Sequence, residues 1–137
     1  MKIVIIDGQG GKMGKSVIEQ LKKRFPELET YAIGTNSIAT SAMLKAGATY
    51  GATGENPVIV NAQDADIIIG PIGIVMANSL LGEIPPAMAA SIGSSKAYKI
   101  LIPVNRCNHY IVGCQNNTLS DYINMVCDEV GKEVKSI

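Results

Sequence analysis

The chain has 137 residues, 47% of them hydrophobic and 18% charged, and its twelve basic and twelve acidic side chains cancel to a net charge of zero. That length predicts one domain, 1–137, able to bury a substantial core. The charge balance argues against nucleic acid and against an anionic membrane surface as partners, because both need a basic footprint.

Lys2-Ile3-Val4-Ile5-Ile6 is a β-branched apolar run that reads as a buried strand. It is too short for a secretory signal and is followed at once by Asp7. Gly8-Gln9-Gly10-Gly11-Lys12-Met13-Gly14 then leads into a helix on which Met13, Val17 and Leu21 recur at helical spacing, ending in Lys22-Lys23-Arg24, which suits the helix dipole. Thr30–Gly34 is expected to be the second strand. Asn36 and Ser37 offer cap chemistry for a helix over 38–46 that closes at Gly47. A short third strand is expected over 48–50, and a weak helix over 57–63.

Asp66–Ile69 reads as the fourth strand, ending at Gly70-Pro71-Ile72-Gly73, with helical pieces expected over 74–81 and 86–92. Between Ile67 and Ser95 the sole charge is Glu83, but prolines and glycines interrupt this stretch too often for a membrane helix. Tyr98–Val104 is expected to be the fifth strand and His109–Gly113 a sixth. The last helix starts at Thr118, with Asp121 completing a capping box. Apolar strands alternating with helices predict an α/β, single-domain, three-layer Rossmann-like fold with a mainly parallel sheet of about five to six strands.

Strand, glycine turn and helix together make an anion-binding corner, because the helix N-terminus offers unpaired N–H groups and the positive end of its dipole. The spacing fits G-x-x-G-x-x-G through Gly8, Gly11 and Gly14, so Gly8, Gln9, Gly10, Gly11, Lys12, Met13 and Gly14 are the candidate cofactor-binding residues. Asp7, beside a phosphate, would repel it, and is expected to tie a turn amide or meet a metal. Thr35 and Asn36 stand where an NAD site usually carries an acid; they can meet a ribose phosphate or simply cap the next helix. Gly14-Lys15-Ser16 invites a P-loop reading, but the glycine that loop requires is replaced by Gln9.

In this fold class ligands lie off the carboxyl ends of the strands. That rule adds Gly70, Pro71, Ile72 and Gly73 after the fourth strand, with Asn105 and Arg106 after the fifth as substrate or anion candidates. Cys107, His109 and Cys114 match no common zinc spacing, and no metal is expected. The three cysteines, with Cys127, are odd in number and make no disulfide framework, so a cytoplasmic location is expected.

The glycine corner resembles the N-terminus of the dihydrodipicolinate reductase family, which has the same glycine spacing followed by a basic residue and Met-Gly. That resemblance implies NAD(P)H at Gly8, Gly11, Met13 and Gly14. The family's paired histidines and catalytic lysine have no counterpart here, so its reaction is not implied. Nearly end to end, the chain resembles a family of short bacterial proteins known as a domain of unknown function, through Asp7–Gly11, Gly70–Gly73, Gly82-Glu83-Ile84-Pro85-Pro86-Ala87-Met88 and Lys99–Asn105. This second resemblance implies a Rossmann-like fold and no activity.

The expected function is therefore nucleotide binding at 8–14 with NADP or NAD as cofactor. If the chain is an enzyme, the expectation is an NAD(P)-dependent oxidoreductase. A homo-oligomer, first of all a dimer, is expected because so short a domain has no second domain to close over a cofactor. The alternatives are a non-catalytic sensor or structural oligomer with an empty corner, or a degenerate P-loop binding ATP or GTP.

Overall fold

β1 (Ile3–Asp7) is buried at every residue because it is the central strand of the sheet. In the computed structural model, which describes residues 1–104 and 109–136, β1 pairs in parallel with β2 (Thr30–Gly34) on one side and β4 (Ile67–Pro71) on the other. β3 (Tyr50–Thr53) and β5 (Tyr98–Ile102) form the edges, and the order is β3-β2-β1-β4-β5, all parallel. The family-typical reversal of strand order falls between β1 and β4.

The continuous apolar run of β1 has a direct cause. Ile3 and Ile5 enter the core on one face of the sheet and Val4 and Ile6 enter the core on the other, as successive side chains of a strand must. β4 divides in the same way, with Ile67 and Ile69 on the first face and Ile68 on the second. On the first face pack α1 (Lys12–Arg24), α2 (Ser37–Lys45) and α5 (Leu119–Lys135). On the second pack α3 (Glu55–Ala62) and α4 (Pro86–Gly93).

Helix boundaries follow their caps. The Asn36 side chain accepts from the Ala39 N–H at the start of α2, and Pro86 opens α4 in the first turn. The expected Thr118–Asp121 capping box opens α5, and its buried face carries Ile123, Val126, Cys127 and Val130. Lys22, Lys23 and Arg24 do end α1, where Arg24 also reaches Asp128 of α5 at 2.6 Å. At the amino ends of the strands, the Lys2 ammonium meets Asp64 at 2.7 Å, and the Lys2 backbone N–H donates to Asp66 at 2.6 Å.

Three expectations need correction. The third strand lies at 50–53, later than 48–50, because residues 46–49 carry the end of α2 through Gly47. Residues 109–113 form no strand; they turn, with Gly113 at φ +81° and Cys114 N–H donating to Ile111. The helix expected over 74–81 is replaced by one 3-10 turn, Ile72–Val75, after which the chain folds back on itself. There Asn78, Leu80 and Leu81 have φ of 65°, 54° and 56°, and the Asn78 N–H donates to Ile84 at 2.7 Å. Ile74 and Ile84 are both fully buried by this reversal, a burial that helical propagation would forgo.

Ile5 is wholly buried, opposite Ala32 of β2 and Ile69 of β4. Ile5→Ala is expected to destabilise the fold by about 2–5 kcal/mol in denaturant unfolding; a loss below about 1 kcal/mol would mean that the centre of the sheet is less tightly packed than described.

Candidate functional site at the carboxyl ends of β1 and β4

Asp7, the last residue of β1, builds the corner. It is 5% exposed, and its two carboxylate oxygens accept from different ends of the glycine turn: Gly8 N–H at 2.8 Å and Gly14 N–H at 2.7 Å. The turn is closed by the Gly11 N–H donating to Gly8 at 3.0 Å. Asp7 thus takes one of the backbone donors at the N-terminus of α1 for itself. Burial raises the Asp7 pKa above its ordinary value; the hydrogen bonds from Gly14 and Gly8 restrain the rise, and the nearby Glu83 carboxylate adds to it.

The glycines divide into required and free positions. Gly11 has φ +74°, and a Cβ there would stand 2.7 Å from the Ala39 backbone. A Cβ on Gly8 would lie 2.7 Å from Thr35 Oγ1, and one on Gly14 would press on Met43 and Asp7. A Cβ on Gly10 meets nothing within 4 Å. The G-x-x-G-x-x-G spacing therefore marks the three sterically demanded positions, and Gly10 faces open space.

Glu83, which no sequence motif marks, joins the corner in the fold. It comes from the reversal after β4 and lies across the glycine turn and the end of β2. Gln9 N–H donates to its Oε1 at 2.8 Å, while Thr35 Oγ1 at 2.8 Å and Asn36 Nδ2 at 2.6 Å donate to its Oε2. Asn36 Nδ2 also reaches the Gln9 carbonyl at 2.9 Å. Partial burial disfavours the Glu83 charge, but the hydrogen bonds from Asn36, Thr35 and Gln9 together outweigh that, and its pKa is lowered. The available signal was its isolation as the sole charge between Ile67 and Ser95.

A cavity of about 480 Å³ opens on the other side of the turn, over the switch point between β1 and β4. Gly8, Gln9, Gly10, Gly11, Lys12 and Met13 line it from one side and Pro71, Ile72 and Gly73 from the other. Ser79, Leu80 and Leu81 of the reversal also border it, as do Val104, His109 and Leu119. His109 Nε2 lies 2.9 Å from the Val104 carbonyl oxygen. The structure thus brings the glycine turn and the Pro71–Gly73 segment together, with Gly70 just behind, packed against Ile6. Thr35 and Asn36 are on the far side, engaged with Glu83. Asn105 and Arg106 lie outside the described residues, as does Cys107.

The P-loop alternative finds no support in the geometry. Ser16 Oγ donates to the Lys12 carbonyl at 3.0 Å within α1, and Lys15 lies 4.0 Å from Glu19 on the exposed side. Cys114 Sγ lies 3.2 Å from the Tyr122 hydroxyl. Among the described residues no group of three or more histidine, cysteine or acidic side chains is placed to hold a metal, and no helix is long and apolar enough to cross a membrane.

A family model described as "Domain of unknown function (DUF3842)" matches residues 2–135. Among solved structures, the crystal structure of a dodecameric FMN-dependent UbiX-like decarboxylase from Escherichia coli O157:H7 is similar over 98% of this chain and 95% of that one, with a TM-score of 0.55 and 15% identity. At that identity the likeness is one of fold. No curated protein matches the chain.

Asp7→Asn preserves shape but sets an amide N–H against one of the two backbone donors, and is expected to lose about 1–3 kcal/mol in urea unfolding at neutral pH. Because folding raises the Asp7 pKa, the folded wild type binds that proton more tightly than the unfolded chain. Its contribution is fully present below the unfolded pKa and is lost as pH rises through the folded one. The wild-type advantage over the variant should widen on acidification; a gap that narrows would show the Asp7 shift to have the opposite sign.

Proposed function

We propose that this chain, which belongs to the family described as Domain of unknown function (DUF3842), binds a phosphate-bearing mononucleotide of the flavin type in the cavity over β1 and β4. The observation that carries this reading is the position and size of that cavity. At about 480 Å³ it falls within the 300–1,000 Å³ usual for small-molecule sites, and it lies at the topological switch point.

The lining suits such a ligand from both ends. Gly10, Gly11 and Lys12 put open backbone, the first residues of α1 and one ammonium beside a phosphate. Pro71, Ile72, Leu80, Leu81 and Leu119 make apolar walls for a flat ring. The fold neighbour described as FMN-dependent adds support of a coarser kind. A bound flavin would supply the reactive ring, and the chain's own residues would bind and orient it. Of the titratable groups on the lining, Asp7 is engaged by the turn, His109 Nε2 lies against the Val104 carbonyl and Lys12 is suited to an anion, and the reading is one of binding. The NADP or NAD expected from sequence suits the corner less well, because Glu83, the acid at the end of β2, already accepts from Gln9, Thr35 and Asn36 with both its oxygens.

We also infer a homo-oligomer, with a dimer as the first expectation, in the cytoplasm. Leu81, at the cavity mouth, is 94% exposed and Val112 is 87% exposed, and a second copy would cover them. Multi-angle light scattering at high micromolar concentration is expected to give at least twice the chain mass; a strict monomer would remove this part of the reading.

Titration with FMN is expected to change flavin fluorescence and to raise the melting temperature, with about 2.7 kcal/mol of stabilisation at a hundredfold excess over Kd. Gly10→Val should abolish both responses and leave the melting temperature of the free protein unmoved, because Gly10 borders the cavity and a Cβ there meets no other atom within 4 Å. Gly11→Val would be a poor probe, since it strains the backbone. If FMN moves neither signal at millimolar concentration, the corner is a structural turn.

A further inference from the structure

Resting on that mononucleotide reading, we propose that Glu83 is a specificity-determining residue. Its carboxylate takes the donors at the carboxyl end of β2 that a nucleoside phosphate lying across that strand, alone or as half of a dinucleotide, would need, and so favours ligands that stay over β1 and β4.

Three donors of different kinds converge on this one group: a backbone N–H from the glycine turn, a hydroxyl from Thr35 and an amide from Asn36. A turn amide, a hydroxyl and a carboxamide at the end of the second strand are donors suited to a phosphate oxygen, and an acid at that place in an NAD site accepts from the ribose hydroxyls, whereas both Glu83 oxygens are already engaged by the chain. Here those donors are satisfied by an anion that the chain itself supplies, from 74 residues beyond Gln9. A phosphate entering the same place would have to displace a carboxylate.

The fit leaves no room for both. A Cβ on Gly8 would stand 3.0 Å from Leu80 Cδ1 and 3.3 Å from Glu83 Oε1, so the reversal lies directly on the glycine turn. The segment reaches that position through left-handed backbone at Asn78, Leu80, Leu81 and Gly82. Non-glycine residues hold such a conformation only where the surroundings impose it. The imposing contacts are the Asn78–Ile84 hydrogen bond, the Ser79 hydroxyl donating to the Gly73 carbonyl, and the Glu83 carboxylate itself. The strap ends at the cavity edge: Leu80 borders both sides, and Glu83 is absent from the lining of the mononucleotide cavity.

Two variants and three probes test this by isothermal titration. FMN, ADP and NADH are titrated into the wild type, Glu83→Ala and Glu83→Gln, and the quantity read is the ratio of ADP affinity to FMN affinity. In Glu83→Ala the ratio is expected to move at least tenfold toward ADP, with NADH following ADP. Glu83→Gln, which loses the charge and keeps one acceptor, is expected to move it less and in the same direction; if the alanine variant does not fold, the glutamine variant carries the test. A ratio unmoved in the folded variants overturns the proposal. So does a wild type that binds NADH tightly and loses it on substitution, since Glu83 would then be a ribose ligand. FMN binding to none of the three proteins is the failure of the mononucleotide reading alone, and the gain or absence of gain in ADP affinity over the wild type still decides the role of Glu83.

Discussion

The carboxyl rim of this sheet is organised by the placement of one charge. Asp7 ends the central strand, whose other residues are all apolar, and its carboxylate is retained there because both oxygens find backbone donors, one at each end of the glycine turn. Those two hydrogen bonds fix where the turn begins and where α1 starts. They also change what the corner can do. In an open Rossmann-type corner the helix N-terminus faces an incoming anion; here part of its donor capacity already serves the chain.

Glu83 repeats the arrangement one strand over. Two internal carboxylates thus satisfy the donors at the base of the turn and at the end of β2, and the space that remains lies toward β4. The ladder between β1 and β4 ends at Ile5 and Ile69, while β1 runs on beside β2 to Asp7 and Gly34. The cavity sits beyond that point, so its location is set by which neighbours of β1 are already occupied as much as by the glycines themselves.

Much of the fold was legible from local chemistry. The all-apolar runs at 3–6 and 67–69 identify doubly buried parallel strands, Thr118 and Asp121 announce α5, and Gly8, Gly11 and Gly14 stand at the spacing the turn demands. What escaped notice depends on contacts between distant residues. Residues 74–81 have helical spacing, but a reversal buries Ile74 and Ile84 together and delivers Glu83 to Gln9 across 74 positions. No period in the sequence encodes such a contact. Similarly, Tyr110-Ile111-Val112 is an aromatic and β-branched run as a strand would be, yet 109–113 pairs with no strand among the described residues and turns at Gly113. Thr35 and Asn36 were identifiable as donors at the end of β2, but which group they hold could only be seen once the strap was in place.

The two rims of the sheet divide the labour of the molecule. At the amino rim, Lys2 is tied to Asp64 and Asp66, and the Asp66 and Ile67 N–H groups return to the Lys2 carbonyl, so β1 and β4 are stitched together by charge and backbone at the edge opposite the cavity. At the carboxyl rim the same two strands separate, and the segments that follow them are turns. A parallel sheet places all such turns on one edge, so substitutions that reshape the strap between Met76 and Pro85 can alter what is recognised without touching the rim that holds the strands in register. The amino edge ties the strands together, and the carboxyl edge carries the turns that border the cavity.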